Sequence, residues 1–377
     1  MTPHPPITLF LSFSGQGGVE RMLLNLAEGL YGLYKPVEIL AVKTRSRFLG
    51  SLQTPVPLRS LGVDHTLQSI PRLALYLRKV RPGALLAAKD RANQAAIMAR
   101  ALAKTPTRIV LRLGTTTSAA IAHKSRLHKA AWFLPIRLFY PRADAVVAVS
   151  RGVAEDLKRI LGRPLRSLVV IPNPVITPRL YKHAEHPVDH PWFRHASPPV
   201  IVGMGRLTTQ KDFPTLLQAF RKVHDALRCR LILIGDGSHR RALETLAHRL
   251  GVAQDVFFTG FVPNPYPYLK RASVFVLSSI WEGSPNALTE AMALGTPVVA
   301  TDCPSGPREI LRGGEVAPLV PMKNPEAIAA AILRVLENPP DPERLREAVS
   351  DYTVENSARR YLHVLLGGCP APISIFH

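Results

Sequence analysis

The chain has 377 residues, 46% hydrophobic and 20% charged, which suits two globular domains and excludes a disordered or low-complexity protein. No apolar run approaches the ~18 residues that a membrane-spanning helix needs. The net charge of +21 is placed unevenly: residues 1–176 carry 26 Lys and Arg against 8 Asp and Glu, and the remainder 22 against 19, so the first half calls for an anionic partner such as acidic lipid, a lipid-linked diphosphate or nucleic acid.

The opening stretch, MTPHPPITLFLSFSGQGG, lacks the basic start and small-residue cleavage site of a signal peptide. Its apolar core at 7–12 runs straight into a glycine loop and is expected to be a buried strand. Further apolar runs at 37–42, 84–87, 108–113, 145–149 and 167–171 are bounded by Gly, Pro or polar clusters, as expected of parallel strands buried on both faces. Helical stretches lie between them; at 19–31, Met22, Leu23, Leu26 and Leu30 share one face. This alternation predicts a doubly wound α/β domain over 1–176.

The Pro- and His-rich segment 177–199 has no sustained periodicity and is expected to be a linker. Its histidines, His183, His186, His190 and His195, lack the spacing of a metal site and are expected to be solvated. Three cysteines, Cys229, Cys303 and Cys369, are odd in number and widely spaced, which fits buried free thiols in a reducing cytoplasm.

A second alternation fills 200–350. Strands are expected at 200–203, 231–234, 256–259, 274–277, 297–300 and 317–320, and helices at 214–227, 240–250, 286–294 and 325–336. A final helix falls in 351–377, where Tyr361, Val364 and Leu365 recur at helical spacing, and it is expected to pack back on the N-terminal domain.

The most informative segment is SSIWEGSPNALTEAMALGTPVVATD, from Ser278 to Asp302. A strand leads into a Gly/Pro loop and then a helix starting near Asn286. Backbone N–H groups at such a start are orphan donors, and the helix dipole adds positive potential, so a diphosphate is welcome there. Glu282 and Glu290 stand eight residues apart. At about 100° per residue they do not share a helix face, so Glu282 is expected in the loop and Glu290 on the first turns. Two carboxylates at two levels can hold two sets of sugar hydroxyls. Acidic residues near a helix start can equally be complements of its dipole.

This segment resembles the E-x7-E region of the retaining glycosyltransferase family 4. The likeness extends in order to GMGRLTTQKDFPTLLQAF (203–220), LILIGDGSHRRALETLAHRLG (231–251), VFFTGFV (256–262) and SGPREIL (305–311), and the N-terminal GQGGVERMLLNLAEGL is similar to the family's opening glycine loop and helix. The resemblance implies the GT-B fold, two Rossmann-like domains facing across a cleft. It implies a donor site in which Arg206 and Lys211 neutralise the diphosphate, Glu282 binds the transferred sugar and Glu290 the ribose. Gly283, Ser284, Pro285, Asn286, Ala287, Leu288 and Thr289 would wrap the phosphates. Gly205 belongs to the phosphate turn, and Gly235 and Gly237 either shape the nucleotide cleft or make a simple tight turn.

The loop Gly15, Gln16, Gly17 and Gly18 permits close approach to the diphosphate or acceptor. Glu20 and Arg21 stand where a dinucleotide fingerprint needs its third glycine. One departure from the family concerns the histidine usually found after the fourth N-terminal strand. Arg112, Gly114 and Thr115 occupy this stretch, and His123 is the nearest substitute.

The resemblance also implies sugar transfer with retention and no required metal or other cofactor, a UDP-sugar being expected ahead of a GDP-sugar. The segment 123–144 mixes Lys124, Arg126, Lys129, Arg137 and Arg142 with Trp132, Phe133, Leu134 and Phe139, as an interfacial element would, and Arg78, Lys79 and Arg81 add to it. The expected partners are a nucleotide-sugar, a lipid-linked saccharide or a surface polysaccharide or lipopolysaccharide acceptor, and an anionic membrane surface. The expected location is the cytoplasm, at the inner face of the cytoplasmic membrane. Nucleic acid is not expected, since no recognisable module or aromatic stacking pattern is present. A nucleotide-sugar epimerase of GT-B fold and a non-catalytic protein that binds a nucleotide-sugar or nucleic acid are the alternatives.

Overall fold

A computed structural model describes residues 5–13, 15, 17–44, 50, 54–194 and 197–368. Gln16, His195 and Cys369 lie outside the described residues. The chain divides into two units: unit 1 runs to Pro174 and resumes at Thr353, and unit 2 is Val175–Tyr352.

Unit 1 contains β1 (Ile7–Phe13), α1 (Gly18–Leu33), β2 (Val37–Thr44), β3 (Leu58–Ser60), α2 (Ile70–Val80), β4 (Ala84–Ala88), α3 (Asp90–Ala103), β5 (Arg108–Leu113), α4 (Thr117–Ala120), α5 (Arg126–Phe139), β6 (Ala145–Ala148), α6 (Arg151–Leu161) and β7 (Leu168–Val170). The strands form one parallel sheet in the order β3-β2-β1-β4-β5-β6-β7. Its middle strands are apolar on both faces because helices cover both faces: β4 is buried at all five positions and β6 at all four. Strand β3 is exposed at all three positions, at the sheet edge. Three residues without alternation give no sequence signal, and the sequence reading has no strand there.

Unit 2 contains α7 (Pro178–Ala184), β8 (Val200–Met204), α8 (Phe213–Ala226), β9 (Arg230–Ile234), α9 (Arg240–Arg249), β10 (Val256–Gly260), α10 (Tyr266–Arg271), β11 (Val274–Leu277), α11 (Asn286–Ala293), β12 (Val298–Thr301), α12 (Pro307–Ile310), β13 (Leu319–Val320), α13 (Pro325–Glu337) and α14 (Pro342–Ala348). Its parallel sheet runs β10-β9-β8-β11-β12-β13.

The described residues of the segment 177–199, expected as a linker, fold within unit 2. The Thr177 hydroxyl accepts from the Leu180 amide and starts α7, which buries Leu180 and Ala184. Asn264 and Arg271 donate to the carbonyls of His183 and Ala184. His190 is not a free solvated side chain either: its Nδ1 accepts from the Trp192 amide, and its ring lies 4.6 Å from that of Phe257. Prolines at helix starts and a histidine cap gave this stretch the composition of a loop.

The chain then returns to unit 1 as α15 (Val354–Leu365), capped by Thr353, which buries Ala358, Tyr361, Val364 and Leu365. Helix α15 packs beside α1. Ser357 Oγ donates to the Pro172 carbonyl at 2.9 Å, and Arg108 Nε to that of Val364 at 2.9 Å. Among the described residues, no helix is long and apolar enough to cross a membrane.

Candidate functional site

In each sheet the strand order reverses once, between β1 and β4 and between β8 and β11. The crevice at the carboxyl ends of strands flanking such a reversal is where open α/β sheets bind ligands.

In unit 2 this rule brings together two loops about seventy residues apart in sequence. The first leaves β8 as Gly205, Arg206 and Leu207 and turns through Thr209–Lys211. The second leaves β11 at Ser278 and runs to Pro285, where α11 begins. Ser278 Oγ donates to the Lys211 carbonyl at 2.6 Å, the Ile280 amide to that of Gln210 at 2.9 Å, and Gln210 Nε2 to that of Trp281 at 2.9 Å. Lys211 Nζ stands 2.5 Å from Glu282 Oε1, which also accepts from Ser279 Oγ at 2.7 Å. Both side chains are largely buried, 16% and 8% exposed. Cys303 is buried nearby, and burial together with the Glu282 charge pushes its thiol well above the usual range.

The exposed Arg206 differs. Its guanidinium makes no hydrogen bond or ion pair with the described residues, so a cation stands ready at the mouth of the crevice. Its loop is positioned from the β9 side. A Cβ on Gly235 would fall 2.0 Å from the Gly205 oxygen, and one on Gly237 2.4 Å from the Leu207 oxygen. The backbone at Gly235 also has φ 137°, which an L side chain rarely adopts. Both glycines therefore let the turn after β9 lie flush against the Arg206 loop.

Pro285 precedes α11 without a side-chain cap, leaving the first amides of the helix to other partners. Gly283, Ser284 and Pro285 are buried, whereas Asn286 and Ala287 are half-buried at the helix start. Leu288 is a core residue and Thr289 Oγ1 points back to the Pro285 carbonyl, so neither side chain is offered to a ligand. Glu290 is on α11, only 1% exposed. The loop and helix placements of Glu282 and Glu290 match the spacing argument.

In unit 1 the reversal lies beside β1, and Gly17 precedes α1 after that strand. A Cβ on Gly15 or Gly17 would meet nothing within 4 Å, so these two glycines border open space; Gly18 opens the helix. The sequence reading missed Lys89, which follows β4. Its Nζ bridges the Ser12 carbonyl at 2.8 Å and the buried Glu20 at 3.0 Å, with φ 79° in its backbone. A lysine directly after an apolar strand was the available signal.

Arg112 is fully buried. Its Nη2 donates to Asn173 Oδ1 at 2.7 Å, and the Tyr361 hydroxyl of α15 lies beside it. Burial lowers the guanidinium pKa, opposed by Tyr361. His123 is exposed in the turn between α4 and α5. Among the described residues no three His, Cys, Asp or Glu side chains gather as a metal would require.

The chain matches two family profiles, Glycosyltransferase Family 4 over residues 16–179 and Glycosyl transferases group 1 over residues 190–351. It is 33% identical over 237 residues to the lipopolysaccharide core biosynthesis glycosyltransferase LpsE of Rhizobium meliloti, covering 61% of this chain and 67% of that one. It is 28% identical over 259 residues to N-acetylgalactosamine-N,N'-diacetylbacillosaminyl-diphospho-undecaprenol 4-alpha-N-acetylgalactosaminyltransferase of Campylobacter jejuni, covering 69% and 67%. The chain spans about half to two thirds of the length of the first curated relatives it matches. The structure of Anabaena HepE in complex with UDP and glucose superposes with a TM-score of 0.75 at 18% identity, covering 96% of this chain and 99% of that one, which gives the fold as GT-B.

Proposed function

The chain belongs to glycosyltransferase family 4, and from that premise we propose that it moves a sugar, with retention at the anomeric carbon, from a nucleotide-diphosphate donor held in the crevice of unit 2. The observation that carries this reading is the convergence of Arg206, Lys211, Glu282 and the uncapped start of α11 on one strand-order reversal.

The chemistry follows from charge. As the anomeric carbon–oxygen bond breaks, negative charge grows on the departing diphosphate. Arg206, Lys211 and the first amides of α11 stabilise that charge where it develops, which is the main lever of electrostatic catalysis. Such a site assigns the neutralising role to side chains and needs no metal. Glu282 accepts from sugar hydroxyls while its bond to Lys211 keeps both groups oriented, and Glu290 accepts from the ribose. A UDP-sugar is the favoured donor, in line with the nucleotide in the HepE complex. The acceptor is a lipid-linked saccharide or a lipopolysaccharide, the kinds of molecule in the names of the Campylobacter and Rhizobium relatives. The excess of Lys and Arg in unit 1 supports a location at the inner face of the cytoplasmic membrane.

Titration with a panel of UDP- and GDP-sugars tests the donor site. Binding of at least one UDP-sugar, weakened by Glu290→Ala, is expected. No binding across the panel, or unchanged binding by Glu290→Ala, overturns the assignment.

A further inference from the structure

Helix α5 is unusual in unit 1 because only Ile136 of its fourteen residues is buried. Opposite Ile136, at spacings of four, three and four, stand Leu127, Ala131, Leu134 and Leu138. They fall within about a sixth of the helix circumference and form one apolar stripe. The three leucines are 85%, 54% and 46% exposed. Helix α3 packs between α2 and α5, and these neighbours expose apolar side chains too, Leu75 on α2 and Met98 and Leu102 on α3. Exposed leucines aligned along one helix face are the kind of surface that suits an interaction site.

Charge identifies the occupant. From His65 to Ala143 the chain carries fifteen lysines and arginines and one acid, Asp90, which is mostly buried behind Tyr140. A second copy of this surface would bring like fields together. Nucleic acid would find leucine and alanine along the stripe, and Trp132 is the one exposed Phe, Trp or Tyr on α5, too few for a run of stacked bases. Acidic lipid satisfies both the apolar stripe and the cations.

The stripe also ends at a depression of about 480 Å³ lined by Arg100, Lys104, Arg142, Asp144 and Arg166 among others. The Arg142 guanidinium donates to the Leu138 carbonyl and so joins the stripe to the depression. Asp144 is occupied, ion-paired to Arg100 and accepting from the Ile109 amide at 2.7 Å. Lys104, Arg142 and Arg166 form no ion pair with the described residues.

We propose that α5 lies in the plane of an anionic bilayer, with Leu127, Ala131, Leu134 and Leu138 in the acyl boundary and a lipid phosphate in the Arg100–Lys104–Arg142–Arg166 depression. This deepens the acceptor reading and rests on it for its purpose, while the surface itself is argued from unit 1.

Flotation with vesicles of phosphatidylcholine alone, or mixed with phosphatidylglycerol, tests it at low and high salt. The protein is expected to float only with the mixed vesicles. The Leu127→Ser/Leu134→Ser/Leu138→Ser variant should bind them at least tenfold more weakly while melting like the parent. Lys104→Ala/Arg142→Ala/Arg166→Ala should lower binding and flatten its salt dependence. Fluorescence gained in Leu134→Trp should be quenched by lipids with brominated chains. The proposal is overturned if the parent stays unbound at low salt, if the serine variant floats equally well, or if the stripe proves to bury itself in a dimer that the serine variant dissolves. Nucleotide-sugar titration of the same preparations reads the donor site separately, so failure of one reading is not failure of the other.

Discussion

Lys211 and Glu282, separated by 71 positions in sequence, meet at 2.5 Å because β8 and β11 are neighbours in the sheet although β9 and β10 intervene in the chain. The pair locks two loops of the unit 2 crevice together, and under the proposed function it also holds a cation and a carboxylate for the donor's phosphate and sugar.

Substitution can separate these roles. Removing one partner, as in Glu282→Ala, leaves a largely buried charge uncompensated and is expected to cost up to about 3 kcal/mol of stability. The double substitution Lys211→Met/Glu282→Gln removes both charges, and stability should largely return while sugar transfer does not. Urea unfolding of the single and double variants, with transfer assayed alongside, checks this.

Arg206 should behave in the opposite way. Its guanidinium has no bond to lose, so Arg206→Gln is expected to shift stability by less than about 0.5 kcal/mol. Donor affinity should fall by about 1.5–3 kcal/mol, the worth of a hydrogen bond to a charged group, or roughly tenfold to a hundredfold. Calorimetric titration with the preferred nucleotide-sugar gives the answer.

Gly235→Ala should harm the site without touching a ligand group. The new methyl would collide with the Gly205 oxygen 2.0 Å away and would also occupy φ 137°. The Arg206 loop must shift, and a shift of about 1 Å at a binding site can cost two orders of magnitude in rate. The expected result is a large loss of donor affinity together with a lower melting temperature.

Arg112 offers a test of what a buried cation contributes. Its partners here, Asn173 and Tyr361, are uncharged. Arg112→Met should therefore be neutral or stabilising, whereas Asn173→Ala should cost about 1–3 kcal/mol by leaving the guanidinium less satisfied. Thermal unfolding of the two variants discriminates.

Alkaline pH should weaken unit 2 through Cys229. Burial pushes its thiol up to about 12, while an unfolded thiol ionises near ~8.5. Above that value the unfolded state releases its proton and the folded state keeps it, so stability is present below ~8.5 and declines as pH rises toward 12. The urea midpoint is expected to fall between about pH 8 and 10, and less steeply in Cys229→Ala. The folded protein should shield this thiol from disulfide reagents.

The family and the strands of both sheets other than β3 were legible in the sequence because they depend on local order. Continuous apolar runs report strands buried on both faces, and the Glu282–Glu290 spacing places one carboxylate in a loop and the other on a helix. What surrounds those residues depends on which strands lie side by side, and local pattern does not record that. Only the tertiary structure decided that Lys211 would pair with Glu282 and that Gly235 would press on Gly205. It also showed that α7 and His190 would fold onto unit 2, that α15 would bring Tyr361 to the buried Arg112, and that α5 would turn its leucines outward. The sequence by itself determined the two Rossmann-like sheets, since continuous apolar runs carry that information, and its resemblance to the family pointed to Arg206, Lys211, Glu282 and Glu290. The tertiary structure decided which of those residues meet, because strand-order reversal brings together loops that the chain keeps far apart.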